Sequence, residues 1–168
     1  MKRKATRVRK LAIGFIDGSS PQSTANTVRV WSFDNPHIKN TTRMKANAMV
    51  FYPIVGEGVI SFPENTKIES FDEFLRAIRA VNNDYKAIIV VLDNFSTHVS
   101  NRVKKEGEQL GMYLVYLSPY SPDLDPIEFI WKSIKKLISI VFVENVEALR
   151  KIIERTFYKQ TCREFIIC

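Results

Sequence analysis

Cysteine is scarce in this sequence. Of 168 residues only Cys162 and Cys168 are cysteines, both at the extreme C-terminus. That number and placement exclude a disulfide framework and point to a reducing, intracellular compartment. Histidine is as rare, with His37 and His98 alone, and no Cys/His spacing matches that of zinc ligands. Long hydrophobic runs are lacking too. The run near the middle, Ala87–Leu92, falls far short of the ~20 apolar residues that cross a bilayer, so no membrane association is expected. Behind the N-terminus, Leu11–Ile16 is too short for a signal-peptide core and is cut off by Asp17. Internal repeats and low-complexity segments are absent as well.

What is present is the mix of one globular domain, with 45% apolar and 26% charged residues. A chain of this length buries a core without metal or disulfide staples. Its charge is unevenly spread. Lysine and arginine number 25 against 18 acids, a formal charge of +7, yet six of the bases (Lys2, Arg3, Lys4, Arg7, Arg9 and Lys10) stand in the first ten residues without an acid among them. The body of the chain is therefore nearly neutral. Residues 1–10 read as a basic arm, either a solvated tail or a contact for a polyanion such as nucleic acid, where phosphate neutralisation releases counterions.

Patterning divides the remainder. Leu11–Asp17, Thr27–Phe33, Ala46–Val55 and Val59–Phe62 are β-rich and separated by turns, with no room for helices between them, so they are expected to pair as antiparallel hairpins. The character then changes. Ile68, Phe71, Phe74, Leu75, Ile78 and Val81 recur at helical spacing and predict an amphipathic helix over 68–82. Ala87–Leu92 reads as a strand buried on both faces. A polar, exposed helix is expected from Thr97 to Leu110, a strand over Met112–Leu117, a helix over Pro126–Ile140, and a last helix marked by Val146, Leu149, Ile153 and Phe157. An antiparallel three-strand meander followed by αβαβαα predicts an α/β fold, a mixed sheet with parallel strands flanked by helices. That order fits the ribonuclease H-like architecture.

Three acids stand out. Asp17 ends the first apolar strand and Asp93 ends the most buried one. Acids at the ends of core strands are costly to desolvate unless paired or bound to a cation. Each alone reads equally as a turn or helix cap; side by side they would repel, and a divalent cation would neutralise them. The third lies in Ser118-Pro-Tyr-Ser-Pro-Asp-Leu-Asp-Pro-Ile-Glu128-Phe-Ile-Trp131. There Asp125 suits an N-cap, Pro126 the first helical position and Glu128 the third, a variant of the capping box. Capping alone would account for Glu128. It also falls at the edge of the apolar face formed by Ile127, Ile130, Trp131, Ile134 and Ile138, with Lys132 and Lys135 continuing its ridge. Those lysines could meet phosphates, or Lys132 could form a surface ion pair with Glu128.

The stretch from Val90-Val-Leu-Asp93-Asn-Phe-Ser-Thr-His98 to the proline-rich run ending in Pro-Ile-Glu128-Phe-Ile-Trp131 resembles the catalytic core of DDE transposases. Within them it is similar to the mariner-like superfamily in its prokaryotic insertion-sequence branch, with 34 residues between Asp93 and Glu128. Phe15-Ile16-Asp17 resembles that family's first-acid strand, Trp31 matches a tryptophan frequent on its second, and His98 a histidine common after the second acid. Gly18 stands where the family usually has an acid, and Asp125 where it usually has asparagine.

The resemblance implies that Asp17, Asp93 and Glu128 are catalytic, metal-binding acids holding two Mg²⁺ ions, with Mn²⁺ as substitute. It implies hydrolytic nicking at transposon ends, then strand transfer of a DNA 3′-hydroxyl into target DNA at a TA step. Lys2, Arg3, Lys4, Lys132 and Lys135 would contact DNA. It further implies a homodimer acting on transposon ends and target, no small-molecule substrate, and a cytoplasmic, nucleoid-associated location in a prokaryote. The catalytic domain would span 11–168, without the helix-turn-helix region that precedes it in such enzymes. Two other readings are a different ribonuclease H-like nuclease and an inactive DNA-binding remnant of a transposase.

Overall fold

A computed structural model of the chain describes residues 11–24, 42–65, 67–92, 100–117 and 126–161. Strands β1 (Leu11–Ser19), β2 (Ala48–Val55) and β3 (Val59–Ser61) come first. Helix α1 (Ile68–Val81), β4 (Ala87–Leu92), α2 (Asn101–Gln109), β5 (Met112–Tyr116), α3 (Ile127–Ile140) and α4 (Val146–Thr161) follow. The five strands form one sheet in the order β3-β2-β1-β4-β5. β1 pairs antiparallel with β2 and parallel with β4, and β4 pairs parallel with β5. This is the mixed, helix-flanked sheet expected from the element order. One expectation changes: the antiparallel neighbour of β1 is the strand at Ala48–Val55, not the next β-rich stretch in the chain. That stretch, Thr27–Phe33, lies outside the described residues.

Alternation along β1 assigns the two faces of the sheet. Ala12 and Ile16 point into a core shared with Met49, Phe51, Ile88, Val90 and Leu92 beneath α1 and α2. Phe15 points the other way, into a second core built from Ala48 and Val50 with α3 and α4. Gly14 is required where β1 passes Phe51, because a Cβ there would lie 2.5 Å from the Phe51 ring and 2.6 Å from the Tyr52 carbonyl oxygen. The register shift between Ile13 and Gly14 falls at the same place.

α1 buries Phe71, Phe74, Leu75 and Ile78 as its periodicity requires, but Val81 is exposed. The last buried position of the stripe is taken by Asn82, four residues after Ile78. Its side chain donates to the carbonyls of Ile78 and Glu57 (both 3.1 Å) and accepts the Glu57 N–H at 2.8 Å. A buried amide satisfied in this way locks the β2–β3 turn, where Gly56 has φ +123°, onto the end of α1.

β4 is not buried on both faces. Ile88, Val90 and Leu92 are buried, whereas Ile89 and Val91 are only half-covered. The reason is where α3 and α4 lie: their core involves β1, β2 and β3 and no described residue of β4 or β5. Tyr113 on β5 is accordingly 65% exposed. The helix expected from Thr97 begins at Asn101, capped by Ser100, whose hydroxyl accepts the Val103 N–H; residues 97–99 lie outside the described set.

On α3, Ile127, Ile130, Trp131, Ile134 and Ile138 are all buried, the five positions that helical spacing selects. Leu149, Ile153 and Phe157 of α4 close this second core. Among the described residues no helix is long and apolar enough to cross a membrane.

Candidate active site

β1 carries Asp17 one residue beyond its last described pair with β4. Among the described residues that pair is Ile16 with Leu92, while on the other edge the pairing with β2 continues to Ser19, and Asp17 lies opposite Val50. The strand therefore does not end at Asp17, as its apolar pattern suggests, but runs on to Ser19. By alternation Asp17 shares its face with Phe15, toward α3.

Two N–H groups hold its half-buried carboxylate. The Gly18 backbone donates to Oδ1 at 2.7 Å, and the Trp131 indole Nε1 donates to Oδ2 at 2.7 Å. The second bond joins residues 114 positions apart, one on a strand and one on a helix. Its origin is elementary. Trp131 is 4% exposed, so its N–H needs an acceptor, and an ionised carboxylate is a strong one.

Glu128 lies in the first turn of α3, three residues before Trp131. Residues so spaced are neighbours on a helix surface, with Cβ atoms roughly 5–6 Å apart. Anchoring Trp131 on Asp17 thus brings the first turn of α3 to the end of β1. Glu128 is exposed, and an acid in a first turn is favoured by the helix dipole. Pro126 precedes the helix with helical dihedrals (φ −66°, ψ −15°) and no side-chain cap; Asp125, the expected cap, lies outside the described residues.

The surface pair between Glu128 and Lys132 does not form. Instead the Lys132 ammonium sits 5.4 Å from the centre of the Phe129 ring, which is 72% exposed. Lys135 is half-buried one turn further along. Asp93, His98, Trp31, Lys2, Arg3, Lys4 and both cysteines lie outside the described residues. Among the described residues no three potential ligands gather into a metal cluster, and Asp93, the remaining acid of the expected set, is not among them.

At the same end of the sheet, Tyr116 of β5 pairs with Leu92. Burial pushes its phenol above the usual value of 10.0, and the Lys104 ammonium lies 5.8 Å from its ring centre. The contribution of Trp131 was missed from sequence, where it counted only as core. Its signal was there: a buried indole must find an acceptor, and this one falls one helical turn from a candidate acid.

The donors fit a hard divalent cation. Two N–H groups orient the Asp17 carboxylate, and carboxylate oxygens are ligands that Mg²⁺ and Mn²⁺ favour.

Residues 12–150 match the model of the DDE superfamily endonuclease family. Comparison with curated proteins gives no match. Among solved structures, the mariner Mos1 paired-end complex with Mg is similar at 18% identity and a TM-score of 0.67, covering 92% of this chain and 50% of that one. The Mos1 transposase paired-end complex with left transposon end gives 19% and 0.65, covering 95% and 53%. The catalytic domain of Mos1 mariner transposase gives 18% and 0.57, covering 92% and 78%. This chain thus spans about half the length of the transposase chains in the paired-end complexes, and at such identity the likeness is one of fold. With its ribonuclease H-like sheet and most of its length matched by the family model, the chain belongs to the DDE superfamily of endonucleases.

Proposed function

We propose that this chain is the catalytic domain of a DDE transposase of the mariner-like superfamily, in its prokaryotic insertion-sequence branch. It nicks DNA hydrolytically at transposon ends and then transfers the freed 3′-hydroxyl into target DNA. The observation that carries this reading is the Trp131–Asp17 hydrogen bond, which draws the turn bearing Glu128 to the strand end bearing Asp17. The β1–β4 register supports Asp93, because Leu92, which precedes it in the chain, pairs with the residue that precedes Asp17.

Asp17, Asp93 and Glu128 hold two Mg²⁺ ions, or Mn²⁺, on this reading. When bound, such ions polarise the attacking and leaving oxygens of an in-line displacement at phosphorus. In the first reaction water's oxygen bonds to phosphorus as the bond to the 3′-oxygen breaks, leaving a 3′-hydroxyl and a 5′-phosphate. In the second that 3′-oxygen attacks a target phosphorus and displaces the target's own 3′-oxygen. The protein orients its acids and neutralises phosphates. Gly18 and Trp131 fix the Asp17 carboxylate; Lys132 and Lys135, following Glu128 along α3, face the DNA backbone with Lys2, Arg3 and Lys4 of the arm, residues 1–10, ahead of the catalytic domain at 11–168. The similar Mos1 structures include a complex with left transposon end and complexes with Mg and with Mn, which supports DNA as partner and a divalent cofactor here. Bringing two ends together calls for a homodimer, working on the nucleoid in the cytoplasm.

The test is nicking of supercoiled DNA with Mn²⁺. The unsubstituted chain should convert it to open circles, and Asp17→Asn, Asp93→Asn and Glu128→Gln should each abolish conversion while retaining DNA affinity. Nicking that persists in Asp93→Asn overturns the assignment. Cleavage confined to RNA–DNA hybrids or junctions would make the protein a different nuclease of this fold.

A further inference from the structure

The bond from Trp131 to Asp17 joins the buried indole of α3 to the acid near the end of β1, and the chemistry proposed above leaves that arrangement a role. We propose that Trp131 is a positioning residue for Asp17: its indole N–H holds the carboxylate in a set orientation for a divalent cation, and its ring reports the cation's arrival. This rests on the reading of Asp17 as a ligand and adds a residue to it.

Indole N–H is a donor only, so the group opposite it must be an acceptor. Here that acceptor is Oδ2 of Asp17 at 2.7 Å, while Oδ1 takes the Gly18 N–H at the same distance. An ionised carboxylate offers about four acceptor sites. These N–H groups take one on each oxygen and so set how the carboxylate is presented to a cation. The donors also come from rigid places. Gly18 belongs to a strand paired on to Ser19, and Trp131 is locked in the α3–α4 core with Val50, the strand partner of Asp17. Rotamer freedom that a free aspartate loses on binding a cation is here lost on folding, so binding is preorganised. Partners that orient a ligating carboxylate typically contribute about 10–100-fold in metal affinity. Because Glu128 is one turn away on the same helix, loss of the bond also loosens that acid.

The experiment uses the full chain carrying Trp31→Phe, which leaves Trp131 as the sole tryptophan. Mn²⁺ is titrated by calorimetry and by tryptophan fluorescence. Saturable binding with a matching change in emission is expected. Trp131→Phe should weaken Mn²⁺ binding about 10–100-fold.

Phenylalanine also leaves a gap in the core, so two controls isolate the N–H. Replacing Trp131 with β-(3-benzothienyl)alanine exchanges N–H for sulfur at nearly constant shape and should weaken binding as much as phenylalanine does. Ile134→Val, on the same buried stripe, should lower the melting midpoint and leave Mn²⁺ affinity unchanged. Unaltered affinity in the benzothienyl chain, or an equal loss in Ile134→Val, overturns the proposal. Asp17→Asn separates it from the reading beneath. If Asp17→Asn binds Mn²⁺ as tightly as its parent, or the parent binds none, Asp17 is not a ligand and both fail. If Asp17→Asn abolishes binding while the changes at 131 leave it intact, the positioning role alone fails.

Discussion

Removal of the Asp17 carboxylate measures what its bond to Trp131 contributes to the fold. In Asp17→Ala the buried indole N–H loses its acceptor, whereas Asp17→Asn retains a carbonyl oxygen at the same place. A hydrogen bond to a charged partner contributes about 1.5–3 kcal/mol, and an orphaned buried donor costs a similar amount. Asp17 is only half-buried, so water replaces part of the loss and the lower end applies, about 1.5 kcal/mol. Removing the carboxylate also removes a charge, and that effect would blur the single substitution. A double-mutant cycle with Trp131→Phe cancels it. The cycle is measured by urea unfolding in EDTA, where a slope of ~2 kcal/mol/M turns 1.5 kcal/mol into a midpoint difference of about 0.7 M. Asp17→Ala should also be less stable than Asp17→Asn. A coupling under ~0.5 kcal/mol, the level at which independent sites simply add, would refute the reasoning.

Other consequences are equally direct. Gly14→Ala places a methyl 2.5 Å from the Phe51 ring and should destabilise by about 1–3 kcal/mol, read as a lowered thermal midpoint. Asn82→Ala removes both side-chain bonds to the β2–β3 turn and a third to Ile78, and a loss of about 2–3 kcal/mol in urea unfolding is expected, since the Glu57 backbone is left half-buried without them. Glu128→Gln, at an exposed position with no ion pair among the described residues, should shift stability by less than ~0.5 kcal/mol. Its nicking rate should nonetheless fall more than ~100-fold if the acid is a ligand. The Tyr116 phenol should titrate above 10.0 in the folded chain, seen as an absorbance step missing from Tyr116→Phe. Its raised value means that the neutral form is favoured by folding. The associated stability is complete below pH ~10 and lost as pH rises through the folded value.

Periodicity carried most of the architecture. The buried stripe of α3 is the one that 100° spacing selects, and the chain order of strands and helices sufficed for the mixed sheet. Local patterns erred where a neighbour decided the outcome. Val81 fits the α1 stripe, yet Asn82 fills that place because the N–H and carbonyl of Glu57 there need partners. β4 reads as doubly buried, yet nothing in its own residues tells where α3 and α4 will lie. Similarly, the capping pattern before Glu128 predicted the helix start within one residue but said nothing of what the acid would face.

Sequence alone determined the identities and spacing of Asp17, Asp93 and Glu128, the helix that carries Glu128, and the polar or apolar character of each face, because these depend on residue type and local period. Only the tertiary structure decided that Trp131 reaches across 114 residues to Asp17. That contact follows from the packing of α3 on β1, and a buried donor takes whichever acceptor the folded chain sets against it, a choice no local pattern encodes.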